Sequence, residues 1–449
     1  MRIVLPQNVK MIIERLRSAG HDCYAVGGCV RDCLRGLEPH DWDLTTSATP
    51  DETQAIFSDL KTVDIGKRYG TVAVIIDGKP YEITTYRSDG DYSDSRHPDE
   101  VIFTGDLRDD LSRRDFTVNA MAYNDEKGLI DCFGGIDDLK NGVIRCVGEP
   151  DKRFTEDALR ILRALRFASV LGFSIEPETS RAILKLRDRL KEIAPERIQT
   201  ELLKLLCGDN AGFILRRYRT VIAVFIPELV GTFDFDQNNK HHNRDVYRHI
   251  VASVQNIDPD PVLRMTMLLH DIGKPLTETK DRKGVSHYHN HPTVGAAMSA
   301  EILKRLRYPA AFTSEVCTLI TNHDIRFKPD TVALKRYLSV FGVECMLKLC
   351  KIQRADLLAQ SMYKREEKLS NNTAVTDEVN RITESGECYD LRMLAVNGSD
   401  LIHMGVGSGK MIGDILGELL EKVITGELNN DREALLEEAQ SILQTKSDD

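Results

Sequence analysis

The sequence lacks several features that would place the protein in other classes. No apolar run approaches the roughly 20 residues that a membrane-spanning helix needs, and the N-terminal residues show no cleavable signal pattern. The ten cysteines include no C-x-x-C pair, which argues against a zinc knuckle or a disulfide framework. Internal repeats and low-complexity linkers are also missing. These absences predict a globular, cytoplasmic protein that works in a reducing setting and makes no use of a membrane.

Length and charge set the next limits. A chain of 449 residues is too long for one compact core, so roughly two to four domains are expected. The net charge of −10 would by itself argue against a nucleic-acid partner. Arginine is nevertheless concentrated between about residues 151 and 225, in a stretch with a helical pattern. A global sum can hide such a basic stretch, and the local distribution matters more for a phosphate-rich partner.

Changes in pattern divide the chain into four parts. The first part mixes strand and helix patterns, and its run TVAVIIDGKPYEITTYR predicts a hairpin that turns at Asp77-Gly78. The remaining parts have helical patterns. We predict a head at residues 1–145, a helical neck and body at 146–232, a histidine-rich helical domain at 233–360 and a helical tail at 361–449.

A glycine pair and two nearby aspartates form the first candidate site. Asp41 and Asp43 are two residues apart, so on a strand both side chains would point to one face. Two such carboxylates can hold Mg2+ ions that activate an attacking hydroxyl and steady a leaving pyrophosphate. Glu82 in the hairpin could supply a third oxygen ligand, and the turn at Gly27-Gly28 would let backbone amides approach a triphosphate. Taken alone, these residues fit a tight turn and a solvated polar strand better than a metal site.

Further motifs follow in a fixed order. After the glycine turn and the D-x-D come YRSDGDYSDSRHPDEVIF, RRDFTVNA, EDALR and PER. In this order and spacing, the sequence resembles the class II CCA-adding tRNA nucleotidyltransferases, relatives of the bacterial poly(A) polymerases, over roughly its first half. The resemblance implies that the head is a nucleotidyltransferase and that the neck and body bind RNA.

The resemblance also assigns roles to individual residues. It implies that Asp41 and Asp43 are the catalytic carboxylates that hold Mg2+ in the head. In RRDFTVNA, Arg114, Asp115 and Asn119 would recognise ribose and phosphate and so select NTP over dNTP. The full set of residues that it places against the nucleotide is Gly27, Gly28, Arg31, Arg114, Asp115, Asn119, Glu156, Asp157 and Arg160.

Two residues of EDALR carry a physical argument of their own. Asp157 and Arg160 are three apart, hence neighbours on one face of a helix. A carboxylate accepts from an exocyclic amine and a guanidinium donates to ring nitrogens or a carbonyl, so together they can read cytosine or adenine. UTP and GTP would leave buried groups unpaired, which is costly. The alternative is an ordinary surface ion pair between the two residues.

The polar stretch DYSDSRHPDEV bears on which nucleotides are added. In the family, a flexible loop here helps switch the site from C to A, and enzymes that add only CC lack its pattern. This chain keeps an Asp-rich turn followed by Arg96-His97-Pro98, which favours complete CCA addition. A mobile polar loop without a catalytic role is the alternative.

The histidine-rich part contains a second candidate site. His270 and Asp271 follow the apolar run of VLRMTMLLHDIGKP, and adjacent ligands there could share a metal ion with ligands from neighbouring helices. The other candidate ligands are His249, His291, His323 and Asp356.

The pattern of one histidine, then His-Asp, then a distant aspartate resembles the HD phosphohydrolase superfamily. Such domains can be catalytic or structural in this enzyme family. Pro292 follows His291 where the superfamily commonly has an acidic residue, which argues against a second metal. We predict that a divalent transition metal or Mg2+ is bound by His249, His270, Asp271 and Asp356.

Together these observations predict an α+β protein. A small mixed-sheet nucleotidyltransferase head, like that of DNA polymerase beta, precedes an all-helical neck, body, HD domain and tail. We expect it to add CCA to the 3′ acceptor end of tRNA from CTP and ATP, with the acceptor arm on the basic helices between Arg153 and Arg219. The alternatives are an A-adding-only enzyme, a poly(A) polymerase, and an HD phosphohydrolase whose head only binds RNA.

Overall fold

The protein, for which we use a computed structural model, is described over residues 3–89, 101–238, 240–241, 243–407 and 409–448. It forms two compact units. Unit 1 comprises Met1–Val230 with Arg305–Tyr308, and unit 2 comprises Gly231–Lys304 with Pro309–Asp449. The division into four parts remains a prediction. Within the described ranges, no helix is both long and apolar enough to cross a membrane.

Unit 1 contains a mixed β-sheet near its N-terminus. Its strands are β1 Cys23–Val26, β2 Leu44–Thr46, β3 Lys61–Gly66, β4 Thr71–Ile76, β5 Lys79–Thr85, β6 Arg87–Asp89, β7 Val101–Phe103, β8 Met121–Asn124, β9 Gly128–Asp131, β10 Val143–Ile144 and β11 Ser174–Ile175. The main sheet has the order β3-β4-β5-β2-β1-β8-β9, and each pair of neighbours is antiparallel except β2 and β5, which are parallel. Strands β6 with β7 and β10 with β11 form two small separate ladders.

The helices of unit 1 surround and follow this sheet. They are α1 Gln7–Ser18, α2 Gly28–Leu34, α3 Pro50–Ile56, α4 Leu107–Ser112, α5 Gly135–Asn141, α6 Pro150–Glu156, α7 Leu159–Leu171, α8 Pro177–Leu186, α9 Pro195–Leu206, α10 Ala211–Arg217 and α11 Arg219–Ile222. In α1, the buried residues Val9, Ile12, Ile13 and Leu16 recur at the spacing of one helix face. They pack with sheet residues such as Leu44 and Ile83 in one apolar core.

The predicted hairpin is confirmed. Strands β4 and β5 pair antiparallel with Ile76 opposite Lys79, so Asp77 and Gly78 form a two-residue turn. Both turn residues have positive φ, 51° and 76°. A turn of this kind matches the twist of the flanking strands, and aspartate followed by glycine adopts it at low cost. The hairpin brings Glu82 beside the strand that follows the D-x-D.

Unit 2 is built from helices and one two-stranded ladder. The strands are β12 Thr279–Lys280 and β13 Ser286–His287. The helices are α12 Val246–Gln255, α13 Pro261–Leu269, α14 Lys274–Thr277, α15 His291–Arg305, α16 Ala310–Asn322, α17 Thr331–Ala359, α18 Arg365–Glu384, α19 Gly398–His403, α20 Lys410–Thr425 and α21 Arg432–Asp448. Helix α17 is kinked at Gly342, where φ is 72°.

Two packing arrangements organise unit 2. Helices α12 and α13 pack on each other, and both contact α17, while α13 also packs against α16. This arrangement brings together the helices that carry the candidate metal ligands. The final helices have a separate apolar core that includes Leu401, Ile415, Leu419 and Leu435. The predicted fold class, a mixed-sheet head followed by a mostly helical remainder, is confirmed; the short ladders β10-β11 and β12-β13 are the departures from an all-helical remainder.

Candidate nucleotide site and candidate metal centre

The glycine turn lies at the start of α2 in unit 1. Gly27 has a φ of 83° and ψ of −130°, a conformation that L residues rarely adopt. A Cβ at this position would lie 3.1 Å from Nη1 of Arg114, so the turn accepts only glycine without moving that side chain. The Gly27 amide donates to the carbonyl of Met121 at 3.3 Å and therefore extends the sheet. The Gly27 amide is thus occupied within the sheet, and the approach of the turn's backbone amides to a triphosphate stays a prediction.

The two aspartates of the D-x-D lie just before β2, whereas the sequence placed them on a strand. Strand β2 begins at Leu44, and the carbonyl of Asp43 already accepts from the Val26 amide at 2.9 Å. Leu44 is the parallel partner of Ile83. Asp43 lies just before β2 and Glu82 lies inside β5, and each precedes one member of the pair Leu44–Ile83, so the two residues lie at the same level of the two neighbouring strands.

These carboxylates influence one another electrostatically. Desolvation raises the pKa of Asp43; the charge of Arg114 lowers it and that of Asp41 raises it. The pKa of Glu82 is raised by desolvation and by the charges of Asp43 and Asp41. Together with Asp41, these two residues form a set of hard oxygen donors, which suits Mg2+. A divalent cation bound there would offset both the desolvation and the charge repulsion that raise the pKa values of Asp43 and Glu82.

The residues of RRDFTVNA connect to α2 and α7 through buried hydrogen bonds. Arg31 donates from Nη1 to Oδ1 of Asn119 at 2.6 Å, and Asn119 donates from Nδ2 to Oδ1 of Asp115 at 3.2 Å. Arg163 donates from Nε to Oδ2 of Asp115 at 2.7 Å. Burial alone would raise the pKa of Asp115, but Arg163 and Asn119 outweigh it and lower this pKa to about 2. The chain of contacts holds Asn119 and Arg31 in one arrangement.

The EDALR segment differs from the single helix that its pattern predicts. Asp157 has extended backbone angles, φ −141° and ψ 104°, and separates α6 from α7. Its carboxylate accepts from the amide of Leu159 at 3.0 Å and so begins the next helix. The prediction that Asp157 and Arg160 are i,i+3 neighbours on one helix face is therefore wrong, because Asp157 is not helical.

Asp157 and Arg160 do not pair with each other, and each charged residue of the segment has a different ion-pair partner. Glu156 pairs with Arg160 at 2.7 Å and with Arg153 at 2.9 Å. Asp157 pairs with Nη2 of Arg197 at 3.0 Å. Arg197 belongs to the PER motif. The motif indicated that this residue matters but did not indicate that Asp157 is its partner. Arg163 was missed by the sequence reasoning because it looks like one more arginine in a basic helix.

The second candidate site forms inside unit 2. Nε2 of His249 lies 2.7 Å from Oδ1 of Asp356 and 3.4 Å from Oδ2 of Asp271. Nε2 of His270 lies 3.3 Å from Oδ2 of Asp271 and 3.7 Å from Oδ1 of Asp356. The four predicted ligands thus lie in one cluster, in which three are buried and Asp356 is half-buried, although they come from α12, the end of α13 and α17.

Two further histidines approach the same aspartate. Nε2 of His291 lies 3.4 Å from Oδ1 of Asp271, and Nε2 of His323 lies 3.9 Å from it. Among the residues that the structure describes, two groups of three offer ligand atoms close enough to share an ion: His249, His270 and Asp271, and also Asp271, His291 and His323.

The charges in this centre favour ionised carboxylates. Burial would raise the pKa of Asp271, but His270 and Lys274 hold it well below the usual range. Burial would likewise raise the pKa of Asp356, but hydrogen bonds from His249 and His270 hold it well below the usual range. Both aspartates are therefore ionised at neutral pH, as metal ligands must be.

A polar cavity of about 640 Å³ opens beside the centre. Asp271, His291, His323 and Asp356 contribute to its wall. Cationic side chains also contribute, namely Lys274, Arg326 and Lys368. A cavity with ligand atoms on one side and positive charge on others suits a phosphate-bearing molecule.

One predicted feature falls elsewhere. The stretch that contains Arg96-His97-Pro98 lies outside the residues that the structure describes, so its role in nucleotide choice stays a prediction.

Comparison with family profiles gives three matches. Residues 23–145 match the Poly A polymerase head domain. Residues 172–230 match the probable RNA and SrmB-binding site of polymerase A. Residues 293–439 match the putative tRNA nucleotidyltransferase domain 2.

Whole-chain relatives are also found. The chain is 34% identical over 444 residues to the CCA-adding enzyme of Ligilactobacillus salivarius, which spans 97% of this chain and 96% of the relative. It is 34% identical over 426 residues to the CCA-adding enzyme of Geobacillus stearothermophilus, over 94% of both chains. The crystal structure of the Bacillus stearothermophilus CCA-adding enzyme in complex with CTP matches with a TM-score of 0.72 and 29% identity, over 99% of this chain and 100% of that one.

Proposed function

This chain belongs to the CCA-adding enzyme family, and we propose that it adds C, C and A to the 3′ end of tRNA from CTP and ATP, without a nucleic-acid template and with release of pyrophosphate. Membership confirms the resemblance seen in the motifs. One observation of the structure carries the proposal most directly. Asp43, just before β2, and Glu82, on its parallel partner β5, lie at one level of the sheet, where the charge of Asp41 acts on both and that of Arg114 acts on Asp43.

In the proposed reaction, the terminal 3′-hydroxyl of the tRNA attacks the α-phosphate of the nucleotide, and the bond to pyrophosphate breaks. Asp41 and Asp43, with Glu82, would hold Mg2+, which activates the hydroxyl and neutralises the leaving pyrophosphate. Arg114 lies against Gly27, and its positive charge lowers the pKa of Asp43. It can therefore neutralise the charge of a phosphate that binds beside the Asp43 carboxylate.

The neighbouring contacts support nucleotide selection. Asn119, held between Arg31 and Asp115, is the group that we propose to recognise the ribose. Asp157 and Arg160 would read the base edge, and their ion pairs with Arg197 and Glu156 restrict their motion. A nucleotide that leaves a buried polar group unpaired loses about 1–3 kcal/mol of binding. That loss would reject UTP and GTP.

The test is single-turnover extension of tRNA transcripts that end before the first C, after CC and after CCA. Each transcript is given CTP, ATP or both, and product lengths are read on sequencing gels. We expect the shortest transcript to gain three nucleotides and stop. Asp41→Asn and Asp43→Asn should abolish extension, whereas Asp137→Asn, an exposed carboxylate on α5, should leave it unchanged.

Other outcomes identify the alternatives. Addition of a single A to the CC-ended transcript alone would make the protein the A-adding half of a pair. Long extension with ATP alone would make it a poly(A) polymerase. No extension by the wild-type chain would reject the proposed head function and leave the centre of unit 2 as the active site.

A second function is proposed for that centre, namely metal-dependent hydrolysis of a phosphoester. The close approach of His249, His270, Asp271 and Asp356 in one cluster supports it. Their imidazole and carboxylate donors suit a divalent transition metal, and such an ion would activate water against a phosphoester. Candidate substrates are tRNA ends that carry a 2′,3′-cyclic or terminal phosphate.

This function is tested with RNA that ends in a 2′,3′-cyclic phosphate and with RNA that ends in a phosphomonoester. Asp271→Asn should abolish hydrolysis and leave CCA addition intact, while Asp41→Asn should do the reverse. Hydrolysis that survives Asp271→Asn would show a contaminating activity. Free thiols at all ten cysteines and a tRNA substrate support work in the cytoplasm.

A further inference from the structure

We propose that a cleft in unit 2, between α17, α18 and the loop after α16, is a nucleoside subsite. It would bind the sugar and an amine-bearing base of a nucleotide whose phosphate lies beside the metal centre. The cleft has a volume of about 270 Å³. Small-molecule sites begin at about 300 Å³, so the cleft has room for one nucleoside. This inference rests on the second function proposed above, because it names the substrate class of that function.

The cleft adjoins the larger cavity beside the metal centre. His323, Arg326, Asp356 and Lys368 contribute to the walls of both spaces. His323 and Asp356 are candidate metal ligands, so a reacting phosphate would lie at the junction of the two spaces. A nucleoside attached to that phosphate can then extend into the cleft.

Two cations at this junction favour a phosphate. Nζ of Lys368 donates to Oε1 of Gln360 at 2.9 Å and lies 3.3 Å from Nδ1 of His241, an amide oxygen and an imidazole nitrogen. Burial and the charge of Arg326 lower the pKa of Lys368, and nearby carboxylates offset this only in part. The two cations are therefore close enough to repel each other, and a phosphate between them would neutralise both.

Gln353 on α17 lines the cleft, and the orientation of its amide is fixed. Its Nε2 donates to the carbonyl of Ile325 at 2.6 Å and to that of His323 at 3.3 Å. Carbonyls only accept, so these contacts use both N–H groups and identify the other amide atom as the oxygen. Among the residues that the structure describes, none donates to Oε1 of Gln353. This oxygen is therefore an acceptor for a ligand.

Two asparagines on α18 repeat this arrangement in the cleft wall. Nδ2 of Asn371 donates to the carbonyl of Phe327 at 3.0 Å, and Nδ2 of Asn372 donates to that of Cys350 at 3.0 Å. Asn372 is only 5% exposed. Phe327 and Leu357 add apolar surface to the same wall. A cleft with fixed amide oxygens and apolar surface suits a flat ring that donates hydrogen bonds.

An exocyclic amine is the group of a nucleobase that donates two hydrogen bonds. Adenine, cytosine and guanine carry one, whereas uracil and hypoxanthine have only carbonyls outside the ring. A carbonyl placed against the amide oxygens would leave acceptors unpaired on both sides, which is costly. The ligand class is therefore a nucleoside phosphate with an amine-bearing base, either free or at the end of an RNA.

Binding measured apart from hydrolysis tests the subsite. The full chain carries Asp157→Asn and Arg160→Met, which remove the proposed base-reading pair of the head, and a chelator prevents hydrolysis. Titration calorimetry compares adenosine 3′-phosphate with inosine 3′-phosphate, and cytidine 3′-phosphate with uridine 3′-phosphate. Each pair replaces an amine by a carbonyl. We expect the amine-bearing member to bind about tenfold more tightly.

Variants assign this preference to the cleft. Gln353→Leu with Asn371→Leu removes two acceptors and should abolish the preference. Gln353→Glu with Asn371→Asp loses the same N–H groups but keeps acceptor oxygens, so it should retain the preference at lower affinity. Lys368→Met should weaken binding of all four nucleotides alike. Asn380→Leu, at an exposed position of α18 outside the cleft, should change neither affinity nor preference.

Two outcomes would overturn the subsite. One is equal binding of the two members of each pair. The other is a preference that survives Gln353→Leu with Asn371→Leu, because the base would then be read elsewhere.

Hydrolysis by the metal-loaded chain separates this inference from the function on which it rests. A tenfold binding preference without any hydrolysis would keep the subsite and reject the second proposed function. Hydrolysis of adenosine and inosine 3′-phosphates with equal kcat/KM would keep that function and overturn the subsite. A CCA trinucleotide 3′-phosphate shows the source of the ligand. Tighter binding than adenosine 3′-phosphate would support the subsite as a site for RNA ends, and equal binding would support it as a site for free nucleotides.

Discussion

Arg163→Met should weaken the head through the buried carboxylate of Asp115. The Asp115 side chain is 8% exposed, and Arg163 donates to its Oδ2 at 2.7 Å. The pKa of this carboxyl is about 2, against an ordinary value of 3.8. That difference corresponds to about 2 kcal/mol of stability at neutral pH, at 1.36 kcal/mol per pH unit. Without the guanidinium, the Asp115 carboxylate keeps the hydrogen bonds from Asn119 and the Phe116 amide and the charge of Arg160.

The head can be followed selectively. Trp42 is the single tryptophan, and it packs against the head core, so its fluorescence in urea reports unfolding of this part. We expect Arg163→Met to lower the unfolding free energy by about 2 kcal/mol. Arg181→Met removes an exposed pair with Glu178 and should change it by less than about 0.5 kcal/mol.

The pH dependence has a defined sign. A lowered folded pKa stabilises the protein above the unfolded value, so the contribution of Arg163 is present above about pH 4 and lost as pH falls through about 2. A double-mutant cycle with Asp115→Asn should return a coupling of about 2 kcal/mol. A coupling below about 0.5 kcal/mol at pH 7 would refute the reasoning.

Three further predictions concern the nucleotide site and the metal centre. Gly27→Ala should destabilise the head by about 1–3 kcal/mol, measured by urea unfolding with Trp42 fluorescence. It should also abolish CTP incorporation, because the new Cβ would meet Arg114. Gly128→Ala, at a glycine with positive φ but open space around it, should keep incorporation. Arg197→Met should lower kcat/KM for CTP and ATP about tenfold, or about 1.4 kcal/mol, by releasing Asp157, whereas Lys204→Met on the same helix should not; equal values for both variants would contradict this role. Removal of transition metal with phenanthroline should destabilise unit 2 and lower its calorimetric Tm. The loss of stability is about 2.7 kcal/mol if the metal was present at a hundredfold its Kd. Mg2+-supported extension should stay intact. An unchanged thermogram would contradict metal binding there.

Local sequence signals predicted the parts of the fold that depend on neighbours along the chain. The Asp77-Gly78 hairpin follows from alternating β-rich residues and from a turn that tolerates positive φ. The first residue of β2 was harder to predict, because an aspartate can be the last residue before a strand as readily as the first residue within it. The break at Asp157 has no glycine or proline to announce it.

Long-range pairing accounts for what the sequence did not reveal. Asp157 is held by Arg197, which lies far along the chain, and no helical pattern encodes that partner. The four ligands of the metal centre were named from their types and order. Their spacing around Asp271, and the approach of His291 and His323, depend on how five helices pack, namely α12, α13, α15, α16 and α17. Pattern reasoning assigns residue types to a site, while packing decides which atoms face each other.

The parallel pairing of β2 with β5 has a consequence for synthesis of the chain on the ribosome. Strand β2 ends at Thr46, and its partner β5 arrives only after α3, β3 and β4 have been made. Parallel neighbours need such a crossover, and contacts of this kind form slowly. The carboxylates of Asp43 and Glu82 therefore cannot meet while residue 85 is still inside the exit tunnel. A nascent fragment that stops at the D-x-D carries the motif without Glu82 beside it, so the set of three carboxylates forms only when the sheet is complete.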